Sequence, residues 1–391
     1  MTRRQGFRFK IVPKSAEETL LRKTLGCARF VWNALLAENK VLLDANLKRM
    51  GYAAMCKRIL ELKDEFAFLR EVHSQPLQQT AKDLDRAMSD TFNPELHRGF
   101  PVFKKKGRAC GIRFPQGVKI NANAVYLPKI GWSAFRKSRE ILGDVKNVSV
   151  RQDAFGWSVS FQTEREVAES VHPSESVVGI DLGVNRFAAL SDGSFVDGPN
   201  ALKKSKNRLT LLQQQVSRKV KFSKNWCKAK AKVSRLHHRI ANIRKDALHK
   251  ASTTISKNHA VVVLEDLRVA NMSKSAAGTV ESPGKSVAAK SGLNRRILDQ
   301  GWFELRRQLE YKLAWLGGLL VVVDPKNTSR TCSACGHAAA ENRQTQAVFV
   351  CIECGHAANA DTNAAINILG RAGHARIACS ELAPQEARRV A

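Results

Sequence analysis

Four cysteines in the C-terminal part of the chain have the spacing of a metal site. They form two Cys-x-x-Cys pairs, Cys332/Cys335 and Cys351/Cys354, with fifteen residues between the pairs and a Gly-His dipeptide after each. Two such pairs can direct four thiolates at one tetrahedral zinc ion, and each glycine allows a tight turn around the metal. Two disulfides or a redox-active Cys-x-x-Cys are alternatives, which the duplicated Cys-Gly-His turn disfavours. Because four sulfur ligands leave no open position, the sequence predicts a structural zinc.

Three carboxylates stand at the ends of apolar segments. Asp181 ends the run from Val177, Glu265 ends a second apolar run, and Asp361 begins a short apolar helix. Singly, an acid at a strand end is usually a turn residue, and Asp361 could simply cap its helix. Together, carboxylates from different elements can hold two magnesium ions about 3.5–4 Å apart, which activate water and stabilise a leaving oxygen in phosphodiester hydrolysis. We therefore predict that all three are catalytic magnesium ligands.

The charge of the chain indicates a polyanionic partner. Lys and Arg number 65 against 35 acids, a net charge of +30, and such an excess favours nucleic acid. An anionic membrane surface is the weaker alternative, because no apolar run approaches the length of a membrane span. Between Lys203 and Lys250 there are sixteen Lys/Arg and one acid, Asp246, a pattern that phosphates lying along helices would explain. The candidate nucleic-acid-binding residues are Lys104, Lys105, Lys106, Lys203, Lys204, Arg208, Lys228, Lys232, Arg235 and Arg239.

The elements that must position these residues follow from hydrophobic periodicity. At 391 residues the chain should hold two or three domains. We expect a β domain whose first strand, 5–12, comes from the N-terminus and is followed by helices over 15–92. A polar linker over 164–176 should precede a strand and hairpin. The remaining predictions are a helical hairpin over 201–258, a strand over 260–264, a mobile loop over 273–292, a helix over 302–316, a buried strand over 319–323 and a coreless tail after Gly370.

Several motifs carry a family resemblance. The patterns Gly179-Ile-Asp181-Leu-Gly, Leu264-Glu265-Asp266-Leu and Asp361-x-Asn-Ala-Ala resemble the split RuvC nuclease motifs of TnpB, the RNA-guided endonuclease of insertion-sequence transposons and a relative of the type V CRISPR effectors. The segment Pro325-x-x-Thr-Ser-x-Thr-Cys-Ser-x-Cys-Gly is similar to that family's approach to its zinc ribbon. Weaker matches in the N-terminal half are Gly26-x-x-Arg29-Phe-Val-Trp-Asn33, Leu84-Asp85-Arg86-Ala87 and Pro101-x-Phe-Lys104.

The resemblance implies an α/β fold: an RNase H-like (RuvC) nuclease with an inserted four-cysteine zinc ribbon, preceded by a wedge β-barrel that a helical recognition lobe interrupts. The implied domains are the barrel at 1–14 and 93–170, the lobe at 15–92, the nuclease at 171–327 and 359–375, the ribbon at 328–358 and a flexible tail at 376–391. The family often has an acid where this chain has Asn359, and an Arg where it has Ala347.

The resemblance also implies a function and its partners. The expected activity is RNA-guided cleavage of double-stranded target DNA beside a short transposon-adjacent motif, with a guide RNA from the transposon end and with zinc and two magnesium ions as cofactors. The protein could be a monomer or a dimer. Scattered cysteines and an N-terminus without the apolar segment of a signal peptide indicate a reducing compartment, so we expect a cytoplasmic, nucleoid-associated prokaryotic protein.

Two other functions fit parts of the sequence. A nuclease-inactive guided DNA-binding repressor would share the basic helices, but a pure binder has no need for three carboxylates near phosphates. A transposase, or an accessory protein of one, could act at element ends. The three tyrosines, Tyr52, Tyr126 and Tyr311, do not stand in a nucleophilic His-x-His setting.

Overall fold

The computed structural model describes residues 1–106 and 111–386, with side chains up to residue 373. The chain divides into two compact units, Met1–Ala168 and Glu169–Ala391. Each unit contains a β-sheet and helices, so the protein is mixed α/β. Within the described ranges, no helix is long and apolar enough to cross a membrane.

The first unit is built on a seven-stranded antiparallel sheet. Its strands are β1 (Thr2–Val12), β2 (Gly111–Phe114), β3 (Lys119–Asn121), β4 (Ala124–Leu127), β5 (Gly131–Arg136), β6 (Asp144–Asp153) and β7 (Gly156–Glu166). The strand order is β2-β6-β7-β1-β5-β4-β3. The N-terminal strand therefore lies inside the sheet, between β7 and β5. Phe7, Phe9 and Ile11 are buried and alternate with outward residues, which confirms the strand predicted there.

Three helices follow β1 along the chain: α1 (Ser15–Asp44), α2 (Tyr52–Glu65) and α3 (Ser74–Phe92). Their apolar faces and the sheet share one hydrophobic cluster, to which Leu35 of α1 and Phe161 of β7 both belong. Trp32 is buried in this cluster. Its indole N–H donates to the carbonyl of Val102, and Asn33 exchanges hydrogen bonds with the Lys104 backbone, at 3.1 and 2.8 Å. These contacts bring together two of the N-terminal motifs.

The second unit has a five-stranded sheet of order β10-β9-β8-β11-β12, with β8 (Val177–Asp181), β9 (Ala188–Leu190), β10 (Phe195–Val196), β11 (Val261–Glu265) and β12 (Leu319–Val323). Strands β8 to β10 form an antiparallel meander, and β8, β11 and β12 run parallel. The predicted hairpin after Asp181 is therefore confirmed.

Helices cover both faces of this sheet. They are α4 (Ala201–Ser217), α5 (Lys224–Asn258), α6 (Val269–Met272), α7 (Val287–Gln300), α8 (Trp302–Leu316) and α9 (Ala360–Glu386). Val262 and Leu264 of β11 pack with residues of α5 and α8 on one face. Val261 and Val263 pack with Ile368 of α9 on the other. Burial on both faces explains why β11 is apolar from Val261 to Leu264.

The cysteine module lies between β12 and α9. It contains a two-stranded antiparallel ribbon, β13 (Val348–Val350) and β14 (Ala357–Asn359), with the second cysteine pair between the strands. A small hydrophobic cluster of Cys332, Phe349, Cys351 and Ala360 forms its interior. Ala360 begins α9, so the module and the last helix share this packing.

Four local predictions were wrong. The strand β12 is an edge strand with Leu319 exposed and only Val323 buried, because it pairs on one side only. Residues 164–166 belong to β7, where they pair with β1. The predicted loop 273–292 ends at Ser286, where α7 follows. The helix that carries Asp361 is long and extends to Glu386, into the segment expected to be a flexible tail (376–391); residues 387–391 lie outside the described ranges.

Candidate metal centres and basic surface

The structure brings the four cysteine side chains together as the sequence predicted. Their sulfur atoms all lie within 4.8 Å of one another, with Cys332–Cys354 at 3.7 Å and Cys335–Cys351 at 3.6 Å. A tetrahedral site with Zn–S bonds near 2.3 Å has sulfur–sulfur edges of about 3.8 Å. A disulfide requires about 2.05 Å, so the geometry fits one zinc ion and does not fit two disulfides.

The two cysteine turns have the same backbone geometry. In each, the N–H of the first cysteine donates to the carbonyl of the histidine five residues later, at 2.8 Å for Cys332 and 2.9 Å for Cys351. The glycines after the second cysteines, Gly336 and Gly355, have φ values of +80° and +74°. Glycine is the residue that adopts this conformation without steric cost, so the Cys-Gly-His pattern follows from the turn itself.

Asp181 and Glu265 are the last residues of the neighbouring strands β8 and β11, at the same end of the five-stranded sheet. The neighbouring residues Ile180 and Leu264 are paired in register on parallel strands, so the next residue of each strand emerges beside the other. Helix α9 crosses β8 closely at Gly179, where a Cβ atom would lie 2.3 Å from the carbonyl oxygen of Ala365. Any larger residue would push α9 away. The absence of a side chain at Gly179 thus lets Asp361, in the first turn of α9, approach Asp181.

The charges of the other two acids influence the Asp181 carboxyl. Burial of the Asp181 carboxyl, together with the nearby charges of Glu265 and Asp361, raises its pKa to about 7, although the guanidinium of Arg343 partly opposes the change. Burial also raises the pKa of Glu265, opposed by a hydrogen bond from the Thr328 hydroxyl. A carboxylate whose charge is disfavoured by burial and by like charges is stabilised when a cation binds beside it.

The structure assigns the helix cap to Asn359 and not to Asp361. The Asn359 side-chain oxygen accepts from the backbone N–H groups of Asp361 and Thr362, at 3.1 and 3.2 Å. The Asp361 carboxylate instead accepts from the Arg343 guanidinium at 3.1 Å. Asn359 thus has a structural role at the position where the related family often has an acid. The family often has an Arg at position 347, which is alanine here; in this chain Arg343 pairs with Asp361.

Buried amides join the cysteine module to α9. Asn363, fully buried, donates to the Thr331 carbonyl at 2.8 Å and accepts from the Ser333 N–H at 3.0 Å. Asn367 donates to the carbonyls of Thr328 and Thr331. The same segment therefore supplies the Thr328 hydroxyl to Glu265 and Cys332, the first cysteine of the module.

We call Asp181, Glu265 and Asp361 the acidic centre. Three residues that act on these acids were not singled out from the sequence: Arg343, Thr328 and Arg371. Thr328 lies inside the Pro325-x-x-Thr-Ser pattern, so that pattern contained a signal for it. No sequence signal distinguished the two arginines, because the chain contains many other Lys and Arg residues. Arg371 donates to the carbonyls of Asp324 and Lys326.

The predicted nucleic-acid-binding residues are solvent-accessible. Lys104 is half-buried with its ammonium 3.5 Å from the centre of the Trp32 ring, and the other nine are exposed. On α5, the spacing of Lys228, Lys232, Arg235 and Arg239 follows the helical repeat, so they form a stripe about 16 Å long on one helix face. Such a row can follow a phosphate backbone.

Taken together, the described residues define a mixed α/β protein with an acidic centre at a sheet edge and a four-cysteine module beside it. Three family profiles match the chain. The OrfB profile of IS605-type elements, described as "Probable transposase", matches residues 160–276; the "Cas12f1-like, TNB domain" matches residues 302–368; and a "Helix-turn-helix domain" matches residues 1–48. In this chain residues 1–48 contain β1 and one long helix.

Relatives match over almost the whole chain. InsQ of Escherichia coli K12, provisionally named an RNA-guided DNA endonuclease, is 50% identical over 98% of this chain and 95% of its own. A protein of Streptomyces pristinaespiralis with the same provisional description is 33% identical, covering 97% and 91%. The chain therefore belongs to the TnpB-like family, as its motifs indicated. The structure of a Cas12f1–sgRNA–target DNA complex is similar in fold, with a TM-score of 0.54, 16% identity, and coverage of 90% of this chain and 82% of that one.

Proposed function

We propose that this protein is an RNA-guided DNA endonuclease that hydrolyses target DNA at the centre formed by Asp181, Glu265 and Asp361. The observation that carries the proposal is the placement of Asp181 and Glu265 at the ends of neighbouring parallel strands, with α9, which bears Asp361, packed on β8. The names of InsQ and the Streptomyces protein, and the RNA and DNA present in the Cas12f1 complex, support the choice of partners.

The finer fold assignment belongs to the same proposal. The sheet order, an antiparallel meander continued by two parallel strands, supports an RNase H-like (RuvC) nuclease over 171–327 and 359–375. The cysteine module would be the zinc ribbon at 328–358. In the first unit, the sheet at 1–14 and 93–170 would be the wedge barrel and the helices at 15–92 the recognition lobe.

The chemistry at the centre would depend on bound magnesium, which suits carboxylate oxygen ligands. When bound, two magnesium ions would supply Lewis-acid activation of water and of the leaving oxygen. The protein's own part is to present the ligands: Asp181 at the end of β8, Glu265 oriented by the Thr328 hydroxyl, and Asp361 held by Arg343. The exposed cations of α4 and α5 would bind phosphates of the RNA and DNA, in a cytoplasmic, nucleoid-associated setting.

Two alternatives predict different results. A nuclease-inactive repressor would bind guide RNA and matched DNA without cutting. A transposase, which the name of the OrfB profile suggests, would act at element ends without needing RNA complementary to the target.

The test begins with sequencing the RNA that co-purifies with the protein. We expect a discrete RNA from the transposon end, and magnesium-dependent cleavage of a matched duplex that carries the adjacent motif. Asp181→Ala, Glu265→Ala or Asp361→Ala should each slow cleavage by on the order of a thousandfold or more. The three carboxylates would bind the metal ions as a set, so removing any one of them should impair the whole centre. Affinity for the duplex should persist.

The matched control is Asp266→Ala, which removes an acid next to Glu265 that pairs with Arg306 instead. Its cleavage rate should stay near that of the parent. Parental cleavage by Asp361→Ala would remove Asp361 from the centre, and RNA-independent cutting would overturn the guided mechanism.

A further inference from the structure

The turn between α4 and α5 carries apolar side chains that no hydrophobic cluster of the described residues includes. The cluster that packs the two helices together contains Leu209, Leu236 and Ile240, and its members nearest the turn are Leu212 and Val233. Beyond them, Val220 is 80% exposed and Phe222 is 75% exposed. These side chains contribute little to the core, so a packing role does not explain them. We define the hairpin tip as residues 218–230.

Phe222 is also held in a backbone conformation that its side chain disfavours. Its φ is +69°, in the left-handed region, where a bulky non-glycine residue is a genuine outlier. Backbone strain at a residue that does not pack in the hydrophobic core points to a functional constraint. The backbone after it is well anchored: Ser223 caps α5 by accepting from the Trp226 N–H at 3.1 Å.

The tip presents two aromatic rings amid positive charge. The rings of Phe222 and Trp226 lie 5.4 Å apart at 58° to each other, and the Lys230 ammonium lies 4.6 Å from the Trp226 ring centre. From Arg218 to Lys232 the sequence has seven Lys/Arg and no acid. An apolar protein partner would have to bury these cations, whereas a nucleic acid would neutralise them and offer flat bases to the rings.

The geometry points to the hairpin tip as a base-stacking site: an unpaired base of RNA stacks on the exposed Phe222 ring while the surrounding lysines bind the adjoining phosphates. The partner is single-stranded RNA because its loops and ends offer bases that are free of pairing, and aromatic stacking is the usual way proteins hold them. This inference rests on the proposed function only for the presence of RNA in the complex.

The strained backbone allows a sharp test, because Phe222→Gly should separate binding from folding. Glycine tolerates the left-handed conformation, so the thermal midpoint should stay the same or rise. Affinity for RNA should nevertheless fall by roughly tenfold, the effect of losing one stacked base. Phe222→Tyr, which keeps a ring of similar size, should retain parental affinity.

The probe is a single-stranded, adenine-rich RNA oligonucleotide carrying one 2-aminopurine, mixed with full-length protein freed of nucleic acid at high salt. Stacking should quench the 2-aminopurine fluorescence with the parent and with Phe222→Tyr, and not with Phe222→Gly. The slope of log affinity against log salt should be unchanged, because the lysines remain. Phe303→Ala is the matched control, since Phe303 on α8 is equally exposed at 73%.

Parental affinity and quenching in Phe222→Gly would overturn the stacking site while leaving the proposed nuclease function intact. An effect seen with single-stranded DNA and absent with RNA would also overturn it, as would a loss of self-association in the variant by analytical ultracentrifugation. Failure of the parent to bind any RNA would instead count against the proposed function.

Discussion

The cysteine module and the acidic centre both gather metal-ligating side chains, but from very different distances along the chain. Cys332 and Cys354 are 22 positions apart, and two short turns with matching hydrogen bonds present all four thiolates. Asp181 and Asp361 are 180 positions apart, and their relative position depends on how β8, β11 and α9 pack together. A local site can be read from spacing, whereas a site made by packing depends on every contact that holds its elements in place.

The two sites also differ in their electrostatic state without metal. Zinc binding to the cysteines would displace any protons that the four thiols carry. Burial and the nearby charges of Glu265 and Asp361 disfavour the ionised form of Asp181 and raise its pKa. We therefore expect the cysteine module to need its metal in order to fold, and the acidic centre to be folded but destabilised by its own charge.

Cys332→Ser should give the largest effect on stability. Removing one thiolate should abolish stoichiometric zinc binding and reduce the stability of the C-terminal region by on the order of 5 kcal/mol, because zinc binding supplies much of a small module's folding energy. Metal analysis and thermal unfolding measure both effects. Cys227→Ser, at an exposed cysteine of α5, is the control and should retain zinc. Full zinc occupancy in a Cys332→Ser/Cys354→Ser double variant would rule out the site.

Asp181→Asn should change how stability depends on pH when divalent metal is removed by a chelator. The folded carboxyl has a pKa of about 7, above its unfolded value near 4, so the folded state binds an extra proton between these pH values. The stability of the parent should therefore fall as pH rises from about 4 to about 7. Asn removes this loss, so the variant should be more stable than the parent at about pH 8, by on the order of 2–4 kcal/mol, and similar at about pH 4.

Two companion measurements sharpen this prediction. Arg343→Gln removes a cation that lowers the pKa of Asp181, so its stability should fall more steeply with pH than that of the parent. Magnesium should stabilise the parent at about pH 8 and stabilise Asp181→Asn much less. Identical pH profiles for the parent and Asp181→Asn would mean that the acids are farther apart than the structure places them.

Asn363→Ala tests whether the two sites are joined through α9. It removes two buried hydrogen bonds and leaves the Ser333 N–H and the Thr331 carbonyl without this partner, at a cost of about 2–3 kcal/mol. Chemical denaturation measures the stability loss, and zinc release to a chelator should become faster. Thr362→Ala, at the preceding residue, should change stability by less than about 0.5 kcal/mol. Slow, parental zinc release in Asn363→Ala would show that the module holds its metal independently of α9.

The sequence alone was sufficient wherever a few neighbouring residues decide the structure. The cysteine spacing predicted a site that the sulfur positions fit, and the hydrophobic alternation predicted β1 with its partner strands far along the chain. The apolar run 260–264 predicted the strand β11. In each case the physical cause is local: turn geometry, the two-residue repeat of a strand, or burial on both faces.

Tertiary packing decided the rest. The apolar composition of residues 319–323 could not distinguish a buried strand from the half-exposed edge strand that β12 forms, because edge position depends on which strands pair. The capping role of Asn359 and the ion pair of Arg343 with Asp361 depend on where the β13–β14 ribbon meets α9. Helix α9 approaches β8 so closely at Gly179 that the Gly179-Ile-Asp181 motif requires glycine there. Only the position of α9 reveals this requirement. The sequence named the three acids, and their relative positions depend on the pairing of β8 with β11 and on the packing of α9 on β8.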